Sequence, residues 1–435
     1  MTKAGDNNAE SHEPNFVSLA PYEGDEWVRL VDSIGEPHPI VDVLTHYISS
    51  IACIRDMSGP IFNLLEERYL SAESSYSDLR GKFLAEQDGG SARTRIPRHY
   101  MPPSKQTKYL HTRRAFDDAN YARRDLPNLF LLGLVSDYDA FLAGLIRSLF
   151  GLRPKLIASI DRTLSISDLL NLDSLEHALS FIIEKEVETA LRDSHTEQLA
   201  WLERRFSVST LRSFDSLKYF IEITERRNLV AHNAGVITNR YLVTCKKNGL
   251  ENLDEMTVGS KIEISSEYIE HAYRVLFQVG VKLAHVLWRK VRPDQMGLSD
   301  KVLSRTCYTL LVFEEYDLAK ELLTFAVELP RHSSEHEKRI FVINLAQCCK
   351  WLGEDTECRH LLTRHDWSAS DDAFMLANHV LNDDFAEAAR LMRALGANGD
   401  VPEAAFQDWP LFREFRKSKF FAPAYEDVFG HPYIP

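Results

Sequence analysis

Apolar residues recur at helical spacing through most of this chain, and the breaks between such stretches define its organisation. Helical patterns are predicted over roughly Pro39–Asp56 and Pro60–Glu86, the second with Ile61, Leu64, Leu65, Tyr69 and Leu70 on one face. Gly89-Gly90-Ser91 then opens a basic stretch, and regular structure resumes near Leu126. Leu129–Phe150 is the first strongly apolar helix, ended at Leu152-Arg153-Pro154. Ser167–Asp168 and Asp173–Ser174 read as N-caps of turns continuing through Leu175–Leu191. Further helices are predicted over Thr196–Phe206 and Leu211–Ala231. The period then changes: Arg240–Cys245 and Lys261–Ile264 alternate every second residue, with Gly249 and Gly259 between them, which predicts a short β-hairpin. Ser265–Ser266 caps a last long helix whose buried stripe is Tyr268, Ile269, Ala272, Leu276, Val279, Leu283 and Val286.

From Leu298 to Pro435 the pattern is helical with short turns and a weak internal repeat. Glu315–Ala319 and Asp384–Ala388 place an aromatic and an alanine at the same offset, 69 residues apart. Gly353–Leu362 supplies a middle unit, its Cys358 lying 39 residues after the first alanine and 30 before the second. The pattern resembles degenerate tetratricopeptide-type helix pairs, which present a concave face to a partner; a non-repetitive helical cap is the other reading. The expected fold is therefore mainly α. A poorly ordered segment occupies residues 1–38, N-terminal helices with a basic linker 39–125, a helical bundle with the hairpin insertion 126–295, and the repeat-like domain 296–435.

At 435 residues, 44% hydrophobic and 26% charged, the composition is that of a globular protein of two or three domains. No uninterrupted apolar run reaches the ~18 residues of a membrane span, and the polar, acidic start lacks a secretory pattern. A cytoplasmic chain without a membrane partner is expected. The six cysteines then read as reduced thiols. Cys348, Cys349, Cys358, His360 and His365 cluster, but their spacing matches no common zinc pattern, so no metal and no cofactor are expected. The net charge of −13 argues against nucleic-acid binding by the whole surface. Between residues 93 and 114, however, Arg93, Arg95, Arg98, Lys105, Lys108, Arg113 and Arg114 occur without an acid, with Tyr100 and Tyr109 among them. Such a stretch suits an RNA backbone with rings stacking on bases, or a solvated basic linker.

The sharpest local feature is Thr224-Glu225-Arg226-Arg227-Asn228-Leu229-Val230-Ala231-His232, ending at Gly235. Arg227-Asn228 followed by His232 resembles the motif of the HEPN superfamily, an Arg with a polar neighbour and a His four to six residues on. The resemblance covers about Leu126 to Arg292. It implies a helical bundle, a homodimer with motifs facing each other, and metal-independent endoribonuclease activity, often in toxins and antiviral defence. In that chemistry the 2′-hydroxyl of RNA attacks the adjacent phosphate. His232 suits proton exchange near neutrality, Arg227 suits the charged phosphate, and Asn228 suits the phosphate or the imidazole. Glu225 and Arg226 are candidates for support.

One tension is legible in the spacing. At ~100° per residue Glu225, Asn228 and His232 share a helix face, whereas Arg227 lies ~140° from His232 among Tyr219, Phe220, Ile223 and Val230. Either the helix unwinds near His232, or a dimer joins two copies of it; the resemblance implies the second. Two blander readings stand beside it, a helix C-terminus whose Arg, Asn and His satisfy terminal carbonyls, and a bundle that binds RNA without cutting. An interaction scaffold acting through the C-terminal helices is the rival of another class. No phosphate loop, His-Glu-x-x-His or Gly-x-Ser-x-Gly occurs. Asp137 and Asp139, at i and i+2, read as solvated or capping charges, of which one is able to approach the motif in a folded bundle.

Overall fold

The computed structural model describes residues 37–85, 103–159, 174–251, 253, 256–367 and 370–434. The chain divides into two compact units, residues 37–292 and residues 293–435. Both are helical, and among the described residues there is no β-strand.

The first unit is organised around two long apolar helices. α1 (Pro39–Ala85), α2 (Pro103–Asp125), α3 (Pro127–Leu152), α4 (Leu175–Arg192), α5 (His195–Phe206), α6 (Leu217–Asn233), α7 (Asn239–Lys247) and α8 (Ser266–Val291) follow in order. α3 and α8 carry apolar residues almost all round and pack against α1, against each other and against α6. A helix buried on most of its circumference needs that composition. The stretch Lys105–Leu152, which holds α3, is long and apolar enough to cross a membrane, yet half of its most apolar window is covered by the bundle. α4, α5 and α8 start at Ser174, Ser194 and Ser265, whose hydroxyls accept the amides of His177, Glu197 and Tyr268; each such cap contributes about 1 kcal/mol.

Two close approaches fix α1 in place. The Tyr47 ring stacks on Phe141 at 4.4 Å, and its hydroxyl donates to the Leu276 carbonyl at 2.8 Å. It lies flat on α8 because residue 280 is glycine: a Cβ there would overlap the ring. On α3, a Cβ at Gly144 would meet Val43 of α1 at 3.0 Å.

Three sequence expectations are corrected here. The two N-terminal helices are one, running through Pro60. Proline removes one backbone bond and normally breaks a helix, but neighbouring helices hold both sides of it: α3 and α8 pack on the part before Pro60, and beyond it Phe62 stacks on Phe130 of α3 and Tyr69 meets Phe116 of α2. The C-terminal part of the expected linker is α2, carrying Lys105, Lys108, Arg113 and Arg114. The β-hairpin does not form: Asn239–Lys247 is helix α7, and only an isolated Val236–Lys261 bridge joins the segments. Thr238 caps α7 by accepting the Tyr241 amide, and Tyr241 and Cys245, four apart, bury together with Leu229, Ile237 and Leu253. Six residues of alternating polarity do not separate strand from helix; the cap and the i, i+4 pair do.

The second unit consists of three helix pairs and a closing segment. The pairs are α9 (Met296–Val312) with α10 (Tyr316–Glu328), α11 (Glu335–Trp351) with α12 (Asp355–Thr363), and α13 (Asp372–Leu381) with α14 (Phe385–Leu395). α15 (Glu403–Asp408), α16 (Arg413–Lys417) and α17 (Phe421–Phe429) close it. The first helices of the pairs pack on one another in sequence. Their turns share one geometry, with Glu314, Gly353 and Asp383 all left-handed at φ 59°, 78° and 61°. The following amides return to the same carbonyl position: Glu315 to Leu310, Glu354 to Cys349 and Asp384 to His379, at 2.8–2.9 Å. Five residues past the left-handed position stand buried Ala319, Cys358 and Ala388, small enough for the paired helices to approach. Lys320 to Glu354 and Lys350 to Asp383 tie successive turns.

Candidate functional site

The residues singled out in the sequence lie on or beside α6. That helix stays α-helical to Asn233; the amides of Ala234 and Gly235 both return to the Leu229 carbonyl, with φ of 50° and 73°. His232 therefore lies within the regular helix, not in an unwound turn. Five residues at ~100° leave it ~140° from Arg227, and within one chain the two do not share a face.

Arg227 points into the bundle and finds an acid there. Its Nη2 donates to Asp139 Oδ2 of α3 at 2.7 Å. The other oxygen, Oδ1, meets His195 Nε2 of α5 at 3.0 Å. Tyr138 and Phe220 pack their rings beside His195 at 6.0 and 5.8 Å. The Arg227 side chain keeps 20% exposure, while its Nε is buried with no hydrogen-bond partner. A charged group in an apolar stripe must find a partner. Here the partner is 88 residues away in sequence, one of two carboxylates, with Asp137, in a largely apolar helix, and a charge in such a helix was the signal available. Asp137, by contrast, accepts from Ser50 of α1 at 2.5 Å.

Arg226 has a different setting. Its Nε donates to Glu222 at 2.6 Å, its Nη1 to the Glu263 carbonyl at 3.2 Å, and its guanidinium lies 3.8 Å over the Tyr268 ring. Tyr241 and Tyr268 donate to the two Glu222 oxygens at 2.5 and 2.8 Å. Burial, with the Glu222 charge beside them, pushes both phenols well above their usual range. This buried network fastens α7 and the start of α8 to α6, so Arg226 acts in the scaffold of the site. Glu225 is half-buried, and its charge assists burial in pushing the Cys245 thiol up to about 12.

Asn228 is half-buried and His232 exposed, and neither has a hydrogen-bond partner among the described residues. Beyond the end of α6, Ala234 and Gly235 border a polar cleft of about 430 Å³, whose other walls include Asn63, Arg123, Arg124, Asn128 and Lys261. Arg123 is held by Glu66 at 3.2 Å, whereas Arg124 is exposed.

The basic segment is partly placed. Arg93, Arg95, Arg98 and Tyr100 fall outside the described residues. Lys105, Lys108, Arg113 and Arg114 are exposed on α2, the last two in loose pairs with Asp117 and Asp118 at 3.5 and 3.6 Å; such pairs are worth little and leave the cations available. Tyr109 is not available for stacking on a base. It is buried, with its hydroxyl 3.2 Å from that of Tyr76. In the second unit Cys348, Cys349 and Cys358 are buried; burial pushes Cys349 up to about 12 and Cys358 up to about 11. Among the described residues no group of three or more His, Cys, Asp or Glu is placed to hold a metal ion.

Charge is unevenly shared. Residues 37–292 contain 34 Lys and Arg against 32 Asp and Glu, whereas residues 293–435 contain 15 against 24. The acidity that argued against RNA thus lies outside the unit bearing Arg227 and His232. No protein-family model, no curated protein and no solved structure matches the chain.

Proposed function

We propose that the chain is an endoribonuclease of HEPN type acting as a homodimer without a metal, with Arg227, Asn228 and His232 at the cleavage site. One observation carries this reading: a regular helix presents an anchored arginine and, ~140° round it, an exposed histidine with no internal work. Two copies of α6 packed across each other supply both groups to one phosphate. The near-neutral charge of residues 37–292 and the exposed bases of α2 suit an RNA partner.

In the reaction the 2′-oxygen attacks phosphorus as its proton leaves, the P–O5′ bond breaks, and the 5′-oxygen takes a proton. The products are a 2′,3′-cyclic phosphate and a 5′-hydroxyl. His232 exchanges one of these protons, and Arg227, held by Asp139, stabilises the charge building on the phosphate. The helix pairs of residues 293–435, tetratricopeptide-like in this reading, serve as a docking or sensing surface. A toxin or defence effector in the cytoplasm fits that combination.

A scaffold reading is favoured by one observation: Arg227 already has a carboxylate, as a purely structural arginine would. The two readings separate on His232. Wild type, His232→Ala and Arg227→Ala are compared on cellular RNA in excess EDTA, with end-group analysis. Cleavage by wild type alone, leaving 5′-hydroxyl ends, supports the nuclease. Equal activity in all three assigns the cutting elsewhere and leaves the scaffold.

A further inference from the structure

Cleavage moves two protons, one off the 2′-oxygen and one onto the 5′-oxygen, and His232 serves only one of them. A second imidazole shares its carboxylate with Arg227. Asp139 gives one oxygen to Arg227 at 2.7 Å and the other to His195 at 3.0 Å. A carboxylate only accepts, so His195 donates from Nε2 and its Nδ1 keeps a lone pair. That Nδ1 bonds nothing among the described residues and is not sealed from solvent. Arg227 Nη1 is open in the same way, whereas Arg227 Nε is buried. A proton acceptor and a cation thus flank one carboxylate that is itself 30% exposed.

The surroundings hold the imidazole in that orientation. Its side chain is 8% exposed, with the rings of Tyr138 and Phe220 at 6.0 and 5.8 Å. His195 is also the first residue of α5, directly behind the Ser194 cap, so its backbone is fixed. A structural histidine this deeply buried normally bonds through both nitrogens. An imidazole with one nitrogen on a carboxylate is steered to one tautomer, and the carboxylate stabilises the imidazolium formed when the other nitrogen takes a proton. His232, exposed and unpaired, has no such support and suits the opposite transfer. Displacement at phosphorus puts the entering and leaving oxygens roughly in line, so base and acid approach from opposite sides. Facing copies of α6 meet that need, one bringing Arg227, Asp139 and His195 and the other His232.

We propose that His195 is a further catalytic residue, the general base of the cleavage, with Asp139 as its positioning residue; this rests on the ribonuclease reading. Nδ1 takes the 2′-hydroxyl proton as the O2′–P bond forms. His232 of the facing copy gives its proton to the 5′-oxygen as the P–O5′ bond breaks. Both imidazoles then return to their starting forms by exchange with water.

The test uses the full chain, an RNA that wild type cuts, and the same RNA with sulfur replacing the 5′-oxygen at the cut. A thiolate leaves without a proton, so the sulfur substrate masks loss of the acid and not loss of the base. His232→Ala should fall about 100-fold on RNA but less than about tenfold on the sulfur substrate. His195→Gln, which still offers Asp139 a donor, should fall about 100-fold on both. On the sulfur substrate the wild-type rate should decline as pH drops and the base takes up its proton. That limb should persist in His232→Ala and vanish in His195→Gln, whereas a merely structural role for His195 would scale the rate and leave the limb in place. Wild type that cuts no RNA would remove the ribonuclease reading and this assignment together. Cutting that His195→Gln leaves intact, a limb surviving in His195→Gln, or a limb lost in His232→Ala would overturn the assignment alone.

Discussion

Asp139 and Arg227 join α3 to α6 through a hydrogen-bonded ion pair at 2.7 Å, and the same carboxylate holds His195 of α5 at 3.0 Å. One acid thus anchors three helices at the position where the sequence motif places its arginine.

Removing that acid leaves a half-buried guanidinium unpaired. Asp139→Ala should cost about 2–3 kcal/mol of stability, and Asp139→Asn, which keeps an acceptor, about 1 kcal/mol. His232→Ala, at an exposed position with no partner, should stay within ~0.5 kcal/mol of wild type. Urea unfolding of the three variants measures this. An Asp139→Ala protein as stable as His232→Ala would show that the pair contributes nothing.

If two copies of α6 share each cleavage site, inactive variants should complement. In an equal mixture of Arg227→Ala and His232→Ala chains, half of the dimers are mixed. Each mixed dimer regains one intact pair, restoring roughly a quarter of the wild-type rate. Mixing after partial denaturation and refolding, followed by cleavage assay in EDTA, reads this out. A mixture no more active than either variant would sink the shared-site arrangement.

His285, fully buried on α8, has its pKa pushed down to about 3 by burial, with Arg289 adding to it. Unfolded, the imidazole takes a proton below about pH 6.5. Its contribution is therefore fully present above pH 6.5 and is lost as pH falls from there towards 3. Between pH 7.5 and 5.5 wild type should lose about 1.4 kcal/mol more than His285→Phe. Parallel stability curves for the two proteins would contradict the assignment.

Gly280 is fixed by the Tyr47 ring resting on it. Gly280→Ala should cost about 1–3 kcal/mol by overpacking, although alanine normally favours a helix. The double variant Gly280→Ala with Tyr47→Leu should recover part of that. Thermal melts decide, and a stabilised single variant would contradict the close approach.

The repeat turns offer a test of opposite sign. Glu314 holds φ 59° where Gly353 holds 78° in the next pair. Glu314→Gly should stabilise the second unit by up to about 1 kcal/mol, and Gly353→Ala should destabilise it by a similar amount. Equal and opposite Tm shifts would support the common geometry; a loss in both would not.

Much of the helical plan was legible because it is local. The stripe of α8 and the serines before α4 and α8 all lie within a few residues of the effect they cause. The turn at Gly353 was legible for the same reason, and it matches those at Glu314 and Asp383 bond for bond. What failed depended on distant partners. Pro60 breaks a helix unless neighbouring helices support both sides, and here they do. Residues 240–245 alternate like a strand until the Thr238 cap and the Tyr241–Glu222 bond are counted. The angular conflict between Arg227 and His232 was visible in the spacing alone. Its resolution for Arg227 lay in Asp139, read from sequence as a solvated or capping charge, with one of Asp137 and Asp139 able to approach the motif in the folded bundle.

The hydroxyl of Tyr47 reaches a carbonyl 229 residues further along the chain, and that distance sets a schedule for synthesis. At 5–20 residues per second, roughly ten to fifty seconds pass between the emergence of α1 and of its docking surface on α8. Through that interval the apolar faces of α1 and α3 have no α8 to cover them. The unit bearing Arg227 and His232 cannot close until Val291 has left the ribosome. Chains truncated before Val291 should accumulate as aggregates or chaperone clients, not as folded fragments.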